Sequence, residues 1–184
     1  MSDTLNLKQE SLFYKSLILI KYRLSFSVVF SAVCSYLIAF DVFSLTTFSL
    51  LIMGGFFVVG SSNGFNQIIE RRRDSLMIRT SSRPLPSGVM TVNQALIICS
   101  FLSLVGLTML YIINSRTAIF GLISMIIYLA LYTPLKTVTP LSVFFGAIPG
   151  AIPFMLGWVA VTDRFSIETC FQLIIPKAIS YMEF

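Results

Sequence analysis

The sequence predicts an all-α, polytopic membrane protein built as a bundle of transmembrane helices. Of its 184 residues, 56% are hydrophobic and only 11% are charged, whereas an ordinary soluble domain carries about 25% charged residues. The mean hydropathy is +0.87. Several runs of about 20 residues carry almost no charge, which is the length that an α-helix needs to cross a bilayer. A soluble domain is therefore excluded.

The apolar runs predict five spans that together form a single transmembrane domain over residues 1–184. A tight turn at Asp41 follows the first span, a basic loop at 70–90 follows the second, and a short turn at 114–116 follows the third. We expect the spans at residues 16–40, 44–69, 91–113, 117–135 and 138–161.

The fifth predicted span is rich in residues that break helices. In membranes such residues are tolerated where neighbouring helices or a cavity satisfy the freed backbone groups. We therefore expect a kinked helix that lines a cavity, with Trp158 near its outer end as an interfacial anchor. The helix breakers are Gly146, Pro149, Gly150, Pro153 and Gly157.

The distribution of basic residues predicts the orientation. With the N-terminus in the cytoplasm, eleven of the 13 Lys and Arg residues lie inside, and only Arg116 and Arg164 lie outside. Cytoplasmic loops of membrane proteins carry such an excess. We expect a multi-pass protein of the cell inner (cytoplasmic) membrane, with the Arg71–Arg73 triplet as a topology anchor and no nucleic-acid partner.

The absence of histidine and the small number of cysteines limit the catalytic and metal-binding chemistry that this chain can perform. There is no histidine, which removes histidine acid–base catalysis and histidine ligation of haem iron by this chain. Cys34, Cys99 and Cys170 are far apart within apolar stretches. They are expected to be buried as small hydrophobic residues, since this pattern supports neither a disulfide framework nor a cysteine metal site.

An acidic motif stands where the second span meets the cytoplasm. Asn66, Glu70 and Asp74 recur every four residues, so on a continuous helix they lie within an arc of about 80° along roughly 12 Å of one face. Mg²⁺ prefers oxygen ligands and is typically bound by one or two carboxylates together with substrate phosphates. The motif predicts a magnesium-bridged diphosphate site; the alternative is a solvated helix end.

Basic residues near this face favour the diphosphate interpretation. Arg79 and Arg83 precede the rigid segment 84–86, and arginine suits bidentate phosphate contacts. Lys136 ends the fourth span on the same membrane side. The Gly60 and Gly64 pair on the second span is typical of close helix packing.

Two blocks of sequence resemble a known superfamily. The first resembles the first signature of the intramembrane UbiA-type prenyltransferases and reads Asn66-x3-Glu70-x3-Asp74-x2-Met77-x-Arg79-Thr80-x2-Arg83-Pro84-Leu85-Pro86-Ser87-Gly88. The second is similar to a block of the protohaem IX farnesyltransferases, a family within that superfamily. It comprises Tyr132-Thr133-Pro134-Leu135-Lys136, Thr139-Pro140, Gly150-Ala151-Ile152-Pro153 and Gly157-Trp158-Val159-Ala160.

The resemblance implies transfer of a farnesyl group from farnesyl diphosphate to protohaem IX, giving haem O, within the bilayer. It implies a UbiA-type bundle of about nine helices, of which about five are present here. The implied Mg²⁺ ligands are Asn66, Glu70 and Asp74. Arg79, Arg83 and Lys136 would act with them in catalysis, and the same three cations would bind substrate together with Tyr132.

Three departures accompany the resemblance. Glu70 stands where the family often has Asp, and Thr137 where a second basic residue is common. The chain also stops before the family's sixth helix, which bears a Pro-His-Phe element, and its second aspartate-rich loop. Residues 165–184 form an atypical tail whose apolar part, 165–175, is too short to span a bilayer.

The missing elements leave several alternatives open. The domain is expected to be C-terminally incomplete, as in a truncated or frameshifted gene product, and the 184-residue chain to be inactive without a missing segment or partner subunit. One alternative function is a UbiA-type enzyme that acts on an aromatic acceptor such as 4-hydroxybenzoate. Another is a non-catalytic membrane fragment.

Overall fold

The computed structural model describes residues 11–136 and 142–164, except for the side chains of 142–147, and within these residues it is helical without strands. It includes a π-helical segment at Ile127–Tyr132. The helices are α1 Leu12–Leu19, α2 Tyr22–Ala39, α3 Leu45–Asp74, α4 Val92–Ile113, α5 Ser115–Ile126, α6 Thr133–Leu135 and α7 Ser142–Thr162. The predicted all-α class is confirmed, whereas the tail at 165–184 lies outside the described residues.

Four helical runs in the described chain are long and apolar enough to cross a membrane: Tyr22–Ala39, Leu45–Asp74, Val92–Ile113 and Ser115–Leu135. They match the first four predicted spans, and α7 matches the fifth. Large apolar side chains on their outer faces remain exposed, for example Phe30 and Leu104. Extended apolar exposure is costly in water, and a lipid environment removes that cost.

The first predicted span is wrong in one respect, because the helix breaks at Ile20 and Lys21. Lys21 adopts a left-handed conformation with φ of 48°, which costs a non-glycine residue roughly 1–2 kcal/mol. Side chains bind the carbonyls exposed at the break. Gln67 Nε2 donates to the Leu19 carbonyl at 2.7 Å, and Ser25 Oγ donates to the Ile20 carbonyl at 2.8 Å.

Helix α3 extends beyond the predicted end of the second span at residue 69. Its 30 residues rise about 45 Å, which exceeds the roughly 30 Å thickness of the hydrocarbon core. The last turns of α3 therefore reach the polar edge of the membrane. Three arginines, Arg71–Arg73, stand in its final turn, where cations interact favourably with the helix dipole.

Glycines allow the neighbours of α3 to approach closely. A Cβ at Gly64 would lie 2.3 Å from Cys99 Sγ on α4, and one at Gly60 would lie 3.1 Å from the Ile20 side chain. The predicted packing role of this glycine pair is confirmed. Cys99 is fully buried as expected, Cys34 is half-buried, and Cys170 lies outside the described residues.

Helix α7 contains Pro149 and Pro153, and both line a cavity, as predicted. The prediction for Trp158 is wrong: the side chain is 2% exposed and lies inside the bundle. The reason lies at Gly157, where a Cβ would come within 2.0 Å of the Ala32 carbonyl oxygen on α2. So close an approach of the two backbones buries the residues beside Gly157.

The hairpin between α4 and α5 is joined to the end of α7. Asn114 accepts a hydrogen bond from the Thr117 amide at 2.7 Å and donates from Nδ2 to the Val159 carbonyl at 3.0 Å. Arg116 and Asp163 form an ion pair at this end, with 3.1 Å between Nη1 and Oδ2. The predicted turn at 114–116 therefore lies at the opposite end of the bundle from Lys136.

Replacing Gly157 with alanine should destabilise the bundle, because the new Cβ would collide with the Ala32 carbonyl oxygen. Overpacking of this kind typically costs ~1–3 kcal/mol, so the melting temperature of the purified protein in detergent should fall by several degrees. Gly150→Ala is the matched control on the same helix, since no atom lies within 4 Å of its added Cβ. Equal melting temperatures for the two variants would contradict the close contact.

Candidate functional site

The acidic motif forms one continuous polar face at the end of α3. Asn66, Glu70 and Asp74 are 1%, 8% and 5% exposed, and Asn66 Nδ2 donates a hydrogen bond to Glu70 Oε2 at 3.0 Å. The face exists because α3 remains helical through Asp74, which keeps the four-residue spacing in register. We call these three residues the acidic face.

The end of the fourth span contacts the acidic face directly. Lys136 Nζ lies 2.6 Å from Glu70 Oε1, and Thr133 Oγ1 donates to Asn66 Oδ1 at 2.9 Å. The Lys136 ammonium also lies 5.5 Å from the centre of the Tyr132 ring. Lys136 and Tyr132 thus lie together at the site, as the sequence predicts.

The basic loop folds back onto the same face. Arg83 Nη1 lies 2.7 Å from Asp74 Oδ2, and Thr80 Oγ1 donates to the Asp74 carbonyl at 3.0 Å. Leu85 and Met90 are buried in a core that also contains Leu19. This apolar packing fixes the loop and therefore the position of Arg83.

The structure does not bring every predicted cation to the site. Arg79 is exposed, and in the described part of the chain it has no hydrogen bond or ion pair with the acidic face. Arg72 and Arg73 are also exposed, while Arg71 donates to the Ile68 carbonyl at 3.0 Å. Arg83 is thus the arginine of the basic loop that contacts an acidic side chain.

Sequence reasoning missed Lys21, which it treated only as a topology residue. Lys21 is half-buried in the break before α2. Burial lowers the pKa of its ammonium, the charges of Arg83 and Lys136 lower it further, and Glu70 and Asp74 raise it. Lys21 therefore lies in the electric field of the acidic face and its cations. The sequence feature that could have identified Lys21 is its position as a charged residue within the apolar run of the first predicted span.

An apolar cavity of about 510 Å³ lies beside the acidic face, within the size range of small-molecule sites. Tyr128 and Tyr132 stack on its wall, with ring centres 5.3 Å apart. Their positions come from the π-helical segment, and such segments often occur at functional sites. The cavity is lined by Leu24, Val28, Val58, Val59, Ser62, Asn63, Ser124, Tyr128, Tyr132, Pro149, Gly150 and Pro153.

Polar side chains near the cavity form a second group that the sequence did not reveal. Asn63 Nδ2 donates to Ser25 Oγ at 3.3 Å, and Tyr128 Oη lies 3.5 Å from Asn63 Oδ1. Asn63 precedes Asn66 by one helical turn, so the polar face of α3 continues to the cavity wall. A charged head group at the acidic face and an apolar chain in the cavity could therefore belong to one ligand.

The donor atoms of the acidic face fit a magnesium ion. The face offers two carboxylates, from Glu70 and Asp74, and the amide oxygen of Asn66. Over residues 11–136 and 142–164, no group of three His, Cys, Asp or Glu side chains comes together. This set excludes soft thiolate or imidazole coordination. It suits an ion that takes oxygen ligands and completes its shell with water and substrate phosphate.

Comparison with known proteins shows which family this chain is similar to. A sequence profile of the UbiA prenyltransferase family matches residues 27–180. A protoheme IX farnesyltransferase from Christiangramia forsetii is 57% identical over 80% of this chain and 49% of its own length. One from Flavobacterium psychrophilum is 56% identical over 80% of this chain and 50% of its own.

A solved structure shows the same fold. It is a UbiA homolog from Archaeoglobus fulgidus bound to GPP and Mg²⁺, with a TM-score of 0.73 and 21% identity over 83% of this chain and 56% of its own. The present chain spans about half the length of the curated relatives it matches. Because the family profile covers most of the sequence, this chain belongs to the UbiA prenyltransferase family.

Proposed function

We propose that this chain contributes the metal–diphosphate wall and part of the prenyl cavity of a protohaem IX farnesyltransferase. In the reaction, the farnesyl group of farnesyl diphosphate adds to a vinyl group of protohaem IX and diphosphate leaves; water then adds to the resulting haem side-chain cation and a proton is lost, which gives haem O. The observation that carries the proposal is the junction of the acidic face, its paired cations Lys136 and Arg83, and an apolar cavity. The high identity to relatives with that name supports the choice of substrates.

The charges at this junction suit loss of a diphosphate. When the bond between the allylic carbon and oxygen breaks, the diphosphate leaves with the electron pair and gains negative charge. Lys136 and Arg83 lie where they can stabilise that charge, and preorganised cations of this kind lower the barrier. The apolar wall of the cavity excludes water, which would otherwise capture the allylic cation.

Asn66, Glu70 and Asp74 would hold the Mg²⁺ ion of this reaction. The ion, when bound, supplies positive charge that neutralises the diphosphate oxygens. The UbiA homolog of the same fold is bound to GPP and Mg²⁺, which supports an equivalent requirement here. The Glu70 and Asp74 oxygens that now contact Lys136 and Arg83 would be shared with the ion or released to it.

The proposal extends to the membrane environment. The four apolar helical runs suit a multi-pass protein, and we place it in the bacterial inner membrane with its N-terminus in the cytoplasm. The acidic face, Lys136 and Arg83 would then face the cytoplasm. Farnesyl diphosphate would enter with its charged head in water and its chain in the apolar cavity.

The choice of acceptor is tested by ligand titration of the purified chain in detergent. Protohaem should shift its own visible absorption on binding, and saturation should be reached more readily in the presence of farnesyl diphosphate and Mg²⁺. Tight binding of 4-hydroxybenzoate with no specific binding of protohaem would contradict the proposed acceptor.

Asp74→Ala should weaken Mg²⁺-dependent binding of farnesyl diphosphate by at least tenfold, because it removes one of two carboxylates and leaves Arg83 unpaired. Isothermal titration calorimetry with and without Mg²⁺ measures the loss. The matched control is Asp163→Ala, which removes an aspartate paired with Arg116 at the other end of the bundle. If both variants are folded and bind farnesyl diphosphate with equal Mg²⁺-dependent affinity, the assignment of Asp74 as a metal ligand is wrong.

The proposed orientation predicts that a cysteine at position 115 reacts from outside the cell. Ser115 is exposed as the first residue of α5. In a background without Cys34, Cys99 and Cys170, Ser115→Cys should react with an impermeant thiol reagent added to intact cells. Ser75→Cys, exposed just after α3, is the control and should react only after the cells are opened. Labelling of Ser75→Cys in intact cells, with Ser115→Cys labelled only after the cells are opened, would contradict the proposed orientation.

A further inference from the structure

We propose that Val58 and Ser124 are specificity-determining residues that limit the length of the prenyl chain, because they stand at the closed outer end of the cavity. This inference rests on the proposed function, since it concerns the cavity that would take the farnesyl chain. It assigns a role to two residues that lie outside the acidic face and its cations.

Val58 and Ser124 lie at a similar depth in the cavity. At its inner end, Thr133 Oγ1 donates to Asn66 Oδ1 at 2.9 Å, which holds the end of the fourth span beside α3. From this contact, Val58 lies eight residues back along α3 and Ser124 nine residues back along the fourth span. Both side chains line the cavity. Eight helical residues rise about 12 Å, which places the two side chains well inside the bundle.

The side of the cavity between α2 and α7 ends within one helical turn of its lining residues. Val28 on α2 and Pro153 on α7 line the cavity. One turn farther along, Gly157 of α7 lies against the backbone of Ala32 on α2, since an added Cβ would collide with the Ala32 carbonyl oxygen. The two helices are therefore in backbone contact at the outer end of the cavity.

Helix α5 closes the same end from the other side. Gly121 precedes Ser124 by about one turn, and a Cβ added there would lie 4.0 Å from Leu156 Cδ1 on α7. Ser61 Oγ of α3 lies 3.9 Å from Met125 Sδ. Side chains of α3, α5 and α7 thus meet around Ser124, and the cavity does not continue between these helices.

Val58 is supported from behind, so it cannot move aside for a longer chain. It is 5% exposed and belongs to a buried core with Leu110 and Leu156. A Cβ added at Gly106 would lie 3.0 Å from Val58 Cγ2, which places the backbone of α4 directly behind the valine. The floor of the cavity is therefore rigid at this residue.

The depth of the cavity suits three isoprene units. A fully extended peptide advances about 3.6 Å over the three bonds of a residue, so an extended isoprene unit of four main-chain bonds advances about 5 Å. Three units then reach about 15 Å and four units about 19 Å. Along α3, Val58 lies about 12 Å from Asn66 and about 18 Å from Glu70. A chain of four units would press against Val58 and Ser124.

The test measures binding of geranyl, farnesyl and geranylgeranyl diphosphate, each with Mg²⁺, to the whole chain in detergent by calorimetry. Val58→Ala shortens the floor side chain, so the affinity for geranylgeranyl diphosphate relative to farnesyl diphosphate should rise about fivefold. Uptake of each ligand by the detergent is the same for every variant, so the change in this ratio reports the cavity.

Val29→Ala is the matched control for Val58→Ala. Val29 is equally buried, at 4% exposed, and lies against Gly55 of α3, where an added Cβ would be 3.6 Å from Val29 Cγ2. It should leave the ratio of the two affinities unchanged. An unchanged ratio in Val58→Ala, or an equal rise in Val29→Ala, would overturn the inference.

A second variant fills the outer end of the cavity from α5. Ser124→Leu should weaken binding of farnesyl diphosphate about tenfold. It should leave geranyl diphosphate unaffected, because two isoprene units end before the floor. Equal loss of both ligands, or unchanged binding of farnesyl diphosphate, would show that Ser124 does not limit chain length and would overturn its assignment.

The selectivity of the wild-type chain separates this inference from the proposed function. Equal affinity for farnesyl and geranylgeranyl diphosphate, with both lost in Asp74→Ala, would refute the limit on chain length and leave the diphosphate site in place. A wild-type chain that binds none of the three ligands with Mg²⁺ would refute both.

Discussion

The site depends on the pairing of two buried carboxylates with two cations at the end of α3. Glu70 and Asp74 are almost fully buried, and an unpaired carboxylate in such a position costs several kcal/mol. Lys136 comes from the end of the fourth span and Arg83 from the basic loop. The two ion pairs therefore connect three separate parts of the chain around one polar face. Removing either cation would leave a buried charge, so the fold and the site depend on the same contacts.

Much of this arrangement could be predicted from sequence because it follows from periodicity and composition. The four-residue spacing of Asn66, Glu70 and Asp74 fixes a common face on any continuous helix, and the apolar runs fix the number of spans. The convergence of Lys136 with that face followed from counting membrane crossings. These features are properties of a single helix or of the bilayer, so they needed no knowledge of side-chain packing.

The remaining features depend on contacts between distant segments. The break at Lys21 is stabilised by Gln67, 46 positions away in the sequence, so local pattern predicted one continuous span. Trp158 is an aromatic residue near a span end, a pattern that is typical of interfacial anchors. Its burial follows from the contact of Gly157 with the Ala32 backbone. The positions of Asn63 and Tyr128 likewise depend on the π-helical segment, which hydrophobic periodicity does not reveal.

The ion pairs also constrain how a ligand enters. Lys136 and Arg83 neutralise the two carboxylates, so the diphosphate of the proposed function would meet little like-charge repulsion at the acidic face, even without a metal. Under the proposed function, joint binding of a metal and a diphosphate would give each carboxylate the metal in place of its cation, and each cation a phosphate oxygen in place of its carboxylate. Every charge then retains a partner, and the large desolvation cost of an isolated buried ion is avoided. A metal without diphosphate would instead displace the cations and leave them unpaired, which favours joint binding of the two ligands.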